Sequence, residues 1–249
     1  MGVFPHSKLA IQEFQFKQFT IRHDRSAMKV GTDGVLLGAW ASPPTVNGQQ
    51  STINCLDIGT GTGLIALMLA QRFPDAQIMG IDIDEASVRE AKYNVEASPF
   101  KERITIRQQD FSHFGNFLNK YDLIVSNPPF YKEDTLSGNI ARDIARHTTS
   151  LSFGTLVANT AKLLAEGGLF SVIIPTQSAL EFISICIANR LYLTRRTNIR
   201  PREIKPFNRV LLEFSTTIRP TENSALTLYN ADHKRTPEYV QLTKDFYLT

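Results

Sequence analysis

The stretch YDLIVSNPPFY, residues 121–131, sets Asn127, Pro128 and Pro129 directly behind an apolar run. Residues 123–125 read as a buried strand, and a proline pair cannot extend one, because proline lacks the N–H that a ladder uses. The chain must therefore leave its sheet at Asn127, in a shape that Pro128 and Pro129 hold stiff. The side-chain carbonyl of Asn127 and the main-chain carbonyl of Pro128 make two fixed acceptors, and Phe130 or Tyr131 offers a flat face for stacking. That set suits an amine attached to an aromatic ring. The lone pair of such an amine is delocalised, and holding both N–H groups aims it at a methyl donor. No strong general base is needed before attack, since the amine becomes acidic once methylated.

A second set lies earlier in the chain. LDIGTGTGLIA places Asp57, Gly59, Gly61 and Gly63 between a strand and a helix. Glycines there let the backbone turn sharply and let a ligand come close. Asp82 ends the next strand in GIDID, and Asp110 ends the third in QQDF, with Phe111 beside it. Asp82 suits both hydroxyls of a ribose; Asp110 suits the amino group of adenine, with Phe111 against the purine. Carboxylates at successive strand ends stand where open α/β sheets bind ligands. An acid followed by G-T-G-T-G reads as an S-adenosylmethionine (AdoMet) loop. Gly61-x-Gly63-x-x-Ala66 with Asp82 also satisfies the dinucleotide fingerprint, so a nicotinamide oxidoreductase stays open at this point. Such an enzyme has no use for Asn127-Pro128-Pro129.

The elements that must position these residues alternate strand and helix from Ile53 onward, which predicts an α/β fold with a mostly parallel sheet. Strands are expected at 53–59, 76–84, 103–111, 121–127 and 169–175, with helices at 63–73, 85–99, 152–168 and 176–190. Ser152 suits an N-cap and Gly167-Gly168 a helix stop. Two further strands, 191–199 and 209–218, could form an antiparallel pair, making seven in all. The polar stretch 42–52 separates an N-terminal segment, 1–50, from the sheet domain, 51–249.

Composition is that of an ordinary globular chain: 249 residues, 42% hydrophobic and 20% charged. No apolar run has the length of a membrane span, and the start of the chain lacks a signal peptide's apolar core, so a cytoplasmic protein is expected. Cys55 and Cys186 each sit among aliphatics and read as core residues; neither they nor any other set reads as a metal site. The net charge of +3 is unevenly spread: residues 190–249 carry eleven Lys/Arg against six acids. Within 190–209, Arg195, Arg196, Arg200 and Arg202 are interleaved with Tyr192 and Phe207, a composition that suits phosphate contacts.

Taken together, LDIGTGTG, GIDID, QQD and SNPPFY resemble the Rossmann-like AdoMet-dependent methyltransferases that carry N-P-P-[F/Y]. That class acts on adenine N6, guanine N2 (as in rRNA) or glutamine amide nitrogens. Residues 16–41, ARDIARHTTSLSF (141–153) and EYVQLTKDFYL (238–248) closely resemble the bacterial tRNA1(Val) (adenine-N6)-methyltransferases. The resemblance implies methylation of adenine 37 of that tRNA, with no metal and no obligate protein partner. It implies that Gly59, Gly61 and Gly63 line the methionine part of AdoMet with Asp57 behind them. Asp82 would hold the ribose, Asp110 the adenine and Asn127 the target base. Residues 29–33 would form a lid over the cofactor, with Lys29 and Thr32 as ligands; Thr32 also suits a helix N-cap. Arg146 and His147, past the Asn127 turn, would contact the tRNA.

Overall fold

The computed structural model describes residues 12–24, 30–43, 52–114, 119–129 and 151–248. In chain order the first half runs β1 (Glu13–Gln15), β2 (Thr20–Arg22), α1 (Thr32–Trp40), β3 (Asn54–Ile58), α2 (Leu64–Arg72), β4 (Gln77–Asp82), α3 (Glu85–Glu96), β5 (Ile104–Gln108) and β6 (Tyr121–Ser126). It continues with α4 (Phe153–Leu163), β7 (Leu164–Pro175), α5 (Ala179–Ala188), β8 (Tyr192–Arg202), β9 (Arg209–Ser215), β10 (Glu222–Tyr229) and α6 (Pro237–Thr243).

One sheet carries the site, in the order β10-β8-β9-β7-β6-β3-β4-β5. From β7 to β5 every pairing is parallel; β9 then enters antiparallel between β7 and β8. The expected antiparallel pair is therefore present. The sheet has eight strands rather than seven, because β10 adds in parallel to β8. Its first four residues are all exposed, so no apolar alternation marks them as a strand.

Each face of the sheet has its own core. Leu36, Leu67 and Ala91, from α1, α2 and α3, pack over Cys55, Ile78 and Leu123 on one face. Leu156 and Phe182, from α4 and α5, pack over Leu56, Ile124 and Phe170 on the other. Burial on both faces is why the central strands read as unbroken apolar runs. Phe16, Phe19 and Ile21 belong to the first core, so the described part of residues 1–50 packs on the sheet. The β1–β2 hairpin is fastened at both ends. Lys17 donates its N–H to the Phe246 carbonyl at 2.8 Å, and Arg22 donates its N–H to Asn94 Oδ1 at 2.9 Å.

Ser152 caps α4 as expected, accepting from the Thr155 N–H at 3.1 Å. The helix stops at Leu163, however, and β7 begins at once. Gly167-Gly168 serves a bulge inside that strand, where pairing jumps from Tyr121↔Leu164 to Leu123↔Leu169. Gly167 takes φ +72°, and a Cβ on Gly168 would stand 3.1 Å from the Tyr121 carbonyl oxygen.

Candidate active site

The carboxyl ends of the parallel strands make one rim. Ile58 pairs with Ser126 on one side and Ile81 on the other, so Gly59, Asn127 and Asp82 leave the sheet in a row. Gly59 and Asn127 start one strand spacing apart, roughly 4.8 Å. Ser126 Oγ donates to the Ile58 carbonyl at 2.9 Å and ties the two strand ends together.

The glycine loop is folded back onto β4. The N–H groups of Gly59 and Thr60 both donate to the Ile81 carbonyl, each at 2.9 Å. Gly59, Gly61 and Gly63 take φ of +72°, +55° and +81°, a region that side chains rarely enter. A Cβ on Gly59 would meet nothing within 4 Å, so the space above it is open. A Cβ on Gly63 would reach Ala91 of α3 at 3.4 Å, and this glycine serves helix packing.

Asp57 lies fully buried beneath the loop. Its Oδ2 accepts from Thr60 Oγ1 at 2.7 Å and from the Ala66 N–H at 3.2 Å, whereas Oδ1 has no partner among the described residues. Burial pushes this carboxyl up to about 7 against the pull of those two donors, and the nearby Asp82 adds to the rise. Asp82 uses both oxygens: Oδ2 accepts from the Gly61 N–H and Oδ1 from the Asp84 N–H, each at 2.9 Å. Burial also raises its pKa. Each of its oxygens keeps a second lone pair for a ribose hydroxyl.

Asp110 caps a short 3₁₀ turn, accepting from the Ser112 N–H at 2.8 Å. Its other oxygen lies 2.8 Å from His113 Nδ1, and that hydrogen bond holds the carboxyl below the usual range. Phe111 does not present a ring to the rim as expected. It is 4% exposed, its ring packs 5.6 Å from that of Phe114, and its carbonyl accepts from Asn159 Nδ2. Ile83, 51% exposed and next to Asp82, is the apolar side chain that the sequence reading passed over there. Thr32 is the exposed first residue of α1, and Gly31 occupies the N-cap. Asp33 in that first turn accepts from Arg209 Nε at 2.8 Å.

Asn127 Oδ1 is buried and has no hydrogen-bond partner among the described residues. Buried acceptors of this kind are uncommon in a finished interior. Pro128 behind it is buried and Pro129 exposed. Lys29, Phe130, Tyr131, Arg146 and His147 lie outside the described residues.

The four arginines do not act as one patch. Side chains alternate along a strand, so Arg195 faces one side of β8 while Arg196, Arg200 and Arg202 face the other. Arg195 is committed to the fold. It pairs with the buried Glu213 at 2.7 Å, donates to the Trp40 carbonyl at 3.1 Å and lies 3.6 Å from the centre of the Trp40 ring. This corrects its expected place among the phosphate contacts. On the other face, Arg196 donates to Asn198 Oδ1, Arg200 to Thr227 Oγ1, and Arg202 lies 3.1 Å from His233 Nε2. Tyr192 starts β8, at the end away from the rim, whereas Phe207 lies in the β8–β9 turn on the rim side.

Asn94 also went unread in the sequence. It is buried in α3, and its Nδ2 donates to the carbonyls of Arg22 and Thr62, both at 2.9 Å. Its signal is a weak helix former in the middle of a helix. A cavity of about 110 Å³ is lined by Met79, Ile81, Arg107, Gln109 and Tyr121 among others, and no expected site residue lines it. Among the described residues no group of three His, Cys, Asp or Glu could hold a metal ion, and no helix is long and apolar enough to cross a membrane.

A glycine loop beneath open space, an acid on the neighbouring strand end and, after the strand between β3 and β7, an amide carbonyl with no partner among the described residues stand along one rim, and residues 45–183 match the methyltransferase small domain family. The fold agrees: a predicted O-methyltransferase from Agrobacterium tumefaciens superposes with a TM-score of 0.66 at 19% identity, over 86% of this chain and 96% of its own. The relatives are closer. A tRNA1(Val) (adenine(37)-N6)-methyltransferase from Yersinia pseudotuberculosis is 44% identical over 94% of this chain and 92% of its own. One from Phocaeicola vulgatus is 45% identical over 94% and 97%. The chain belongs to the tRNA1(Val) (adenine(37)-N6)-methyltransferase family.

Proposed function

We propose that this protein transfers the methyl group of AdoMet to N6 of adenine in tRNA, adenine 37 of tRNA1(Val) being the target named for its relatives. The observation that carries the reading is the buried Oδ1 of Asn127, without a partner among the described residues, on a strand end next to that of Gly59, above which the space is open. An amino N–H placed there completes the acceptor. The carbonyl of Pro128 takes the second N–H, and the nitrogen lone pair is then held away from the ring and toward the loop. After transfer the proton leaves to water, so no side chain needs to act as a strong base.

The loop fits AdoMet on the ground that a Cβ at Gly59 would project into empty space, while Asp57 beneath it keeps one carboxyl oxygen free of partners among the described residues. When bound, AdoMet supplies an electrophilic methyl group. Gly59, Gly61 and Gly63 would border its methionine part, Asp82 the ribose, and Asp110 with Ile83 the adenine; Lys29 and Thr32 would lie over it. Arg146, His147, Arg196, Arg200 and Arg202 would meet the tRNA, and the work would take place in the cytoplasm, without a metal or an obligate protein partner.

The test is transfer of tritiated methyl from AdoMet to total RNA and, in parallel, to total protein of a strain lacking this gene, followed by nucleoside and amino-acid analysis. N6-methyladenosine mapped to the anticodon loop is the expected product. Label in N2-methylguanosine, or only in protein glutamine, would replace this reading with one of its class relatives.

A further inference from the structure

Asn127 stands level with Ile173, Leu211 and Thr197 across the sheet, because Ser126 pairs with Val172, Ile173 with Leu211, and Leu211 with Thr197. β8 and β9 do not stop at that level. β8 runs on to Arg202, and the chain returns through residues 203–208 before pairing again at Arg209. The β8–β9 hairpin thus stands as a wall beside the site, its tip roughly 12 Å across the sheet from Asn127 and roughly 17 Å above it.

The wall is fixed rather than loose. The Asn208 N–H donates to the Ile199 carbonyl at 3.0 Å, the Lys205 N–H to Arg202 at 3.0 Å, and the Thr176 N–H to the Asn208 carbonyl at 3.3 Å. Its tip nevertheless exposes two large apolar side chains, Ile204 at 84% and Phe207 at 39%. The Arg200 guanidinium lies 5.3 Å from the centre of the Phe207 ring and is itself pinned, donating to Thr227 Oγ1 at 2.9 Å and to the Glu203 carbonyl at 3.1 Å. Arg202 and Lys205 add positive charge, with Glu203 the acid among them. An exposed ring backed by a fixed cation, amid further cations, is the arrangement that takes a nucleobase by stacking while phosphates stay near the charges.

We infer that Phe207, held by Arg200, stacks on a base of the anticodon loop a few nucleotides from the target adenine, so that the hairpin sets which adenine can reach Asn127. This rests on the tRNA reading above. Taking the target out of its stack costs least when a neighbouring base is held elsewhere, and a rigid aromatic wall does that without reading sequence.

The experiment is a coupling test with full-length tRNA1(Val), intact or carrying a single abasic site at each anticodon-loop position other than the target adenine in turn. For the wild type, one abasic position a few nucleotides from the target should raise KM about 10- to 100-fold, the loss expected for one stacked base. Phe207→Ala should raise KM on intact tRNA by a similar factor and show no further loss at that one position; Phe207→Trp should restore the coupling. AdoMet affinity and the salt dependence of KM should stay unchanged in Phe207→Ala, because no charge is lost. Multiplying losses at every abasic position, with methylation intact, would overturn the stacking role and leave the activity standing. A wild type that does not methylate intact tRNA1(Val) would overturn the activity reading, and the stacking role with it.

Discussion

At the β3–β5 end of the sheet, Asp57 is held by the Thr60 hydroxyl and the Ala66 N–H of α2, and Asp82 by the N–H groups of Gly61 and Asp84. At the β8–β10 end, charged side chains are held by other side chains or by distant carbonyls, and neighbours in sequence face opposite ways. The first arrangement centres on one turn: the glycine loop and the start of α2 hold Asp57 from within the same stretch, and the loop's Gly61 N–H reaches across to Asp82 on β4. The second depends on register, since the partner of Arg195 is known only once β9 is seen to lie beside β8. Chemistry written into a strand end travels with its motif, whereas a basic surface is defined by which strand lies next to which.

The sharpest way to break this contrast is Asn127→Ala. Methyl transfer should fall on the order of a hundredfold or more, with AdoMet affinity close to normal, as read by single-turnover transfer and calorimetry. Near-normal turnover would make the N-P-P turn purely structural. Next in size is Arg195→Ala, which leaves the buried Glu213 without its partner and should lower stability by about 2–4 kcal/mol in denaturant unfolding. Arg202→Ala, on the opposite face, should change stability by less than about 0.5 kcal/mol while reducing the salt slope of tRNA binding by about 0.7–0.9. If both arginines altered the salt slope alike, the alternation of faces would carry no functional meaning. Asp82→Ala should weaken AdoMet by about 1.5–3 kcal/mol and release the Gly61 N–H at the same time.

A further test is a pH dependence. Burial raises the folded-state pKa of Asp57 to about 7, above its unfolded value, so the folded state holds this proton more tightly. The stability that follows is fully present below about pH 4 and is lost as pH rises through about 7. Asp57→Asn removes this titration. Cofactor-free Tm of the wild type should therefore fall relative to Asp57→Asn between pH 5.5 and pH 8; parallel profiles would mean that Asp57 is already ionised in the folded protein.

Much of the central sheet was legible because its strands are buried on both faces and end in glycine, proline or acid. Asp57, Asp82 and Asn127 were legible for the same reason, each being fixed to a strand end. β10 was not, since its exposed first half has no apolar rhythm, and neither were the three-residue strands β1 and β2. Phe111 looked like a ligand contact because sequence shows that it follows Asp110 but not that a 3₁₀ turn points it into the core. The glycine pair at 167–168 looked like a helix stop because a bulge and a helix end both call for positive φ.

Asn94 gives the molecule a property that neither its fold nor its chemistry names. Its single amide is shared between the backbone of β2 and the carbonyl of Thr62 in the glycine loop. Opening the hairpin and loosening the loop are therefore not independent fluctuations: each must break bonds to the same side chain. In a hydrogen-exchange experiment the Arg22 amide reports on the loop through Asn94, and AdoMet bound at Gly59 should slow its exchange without touching it. Unchanged exchange at Arg22 on saturation with AdoMet would show that the two motions are separate.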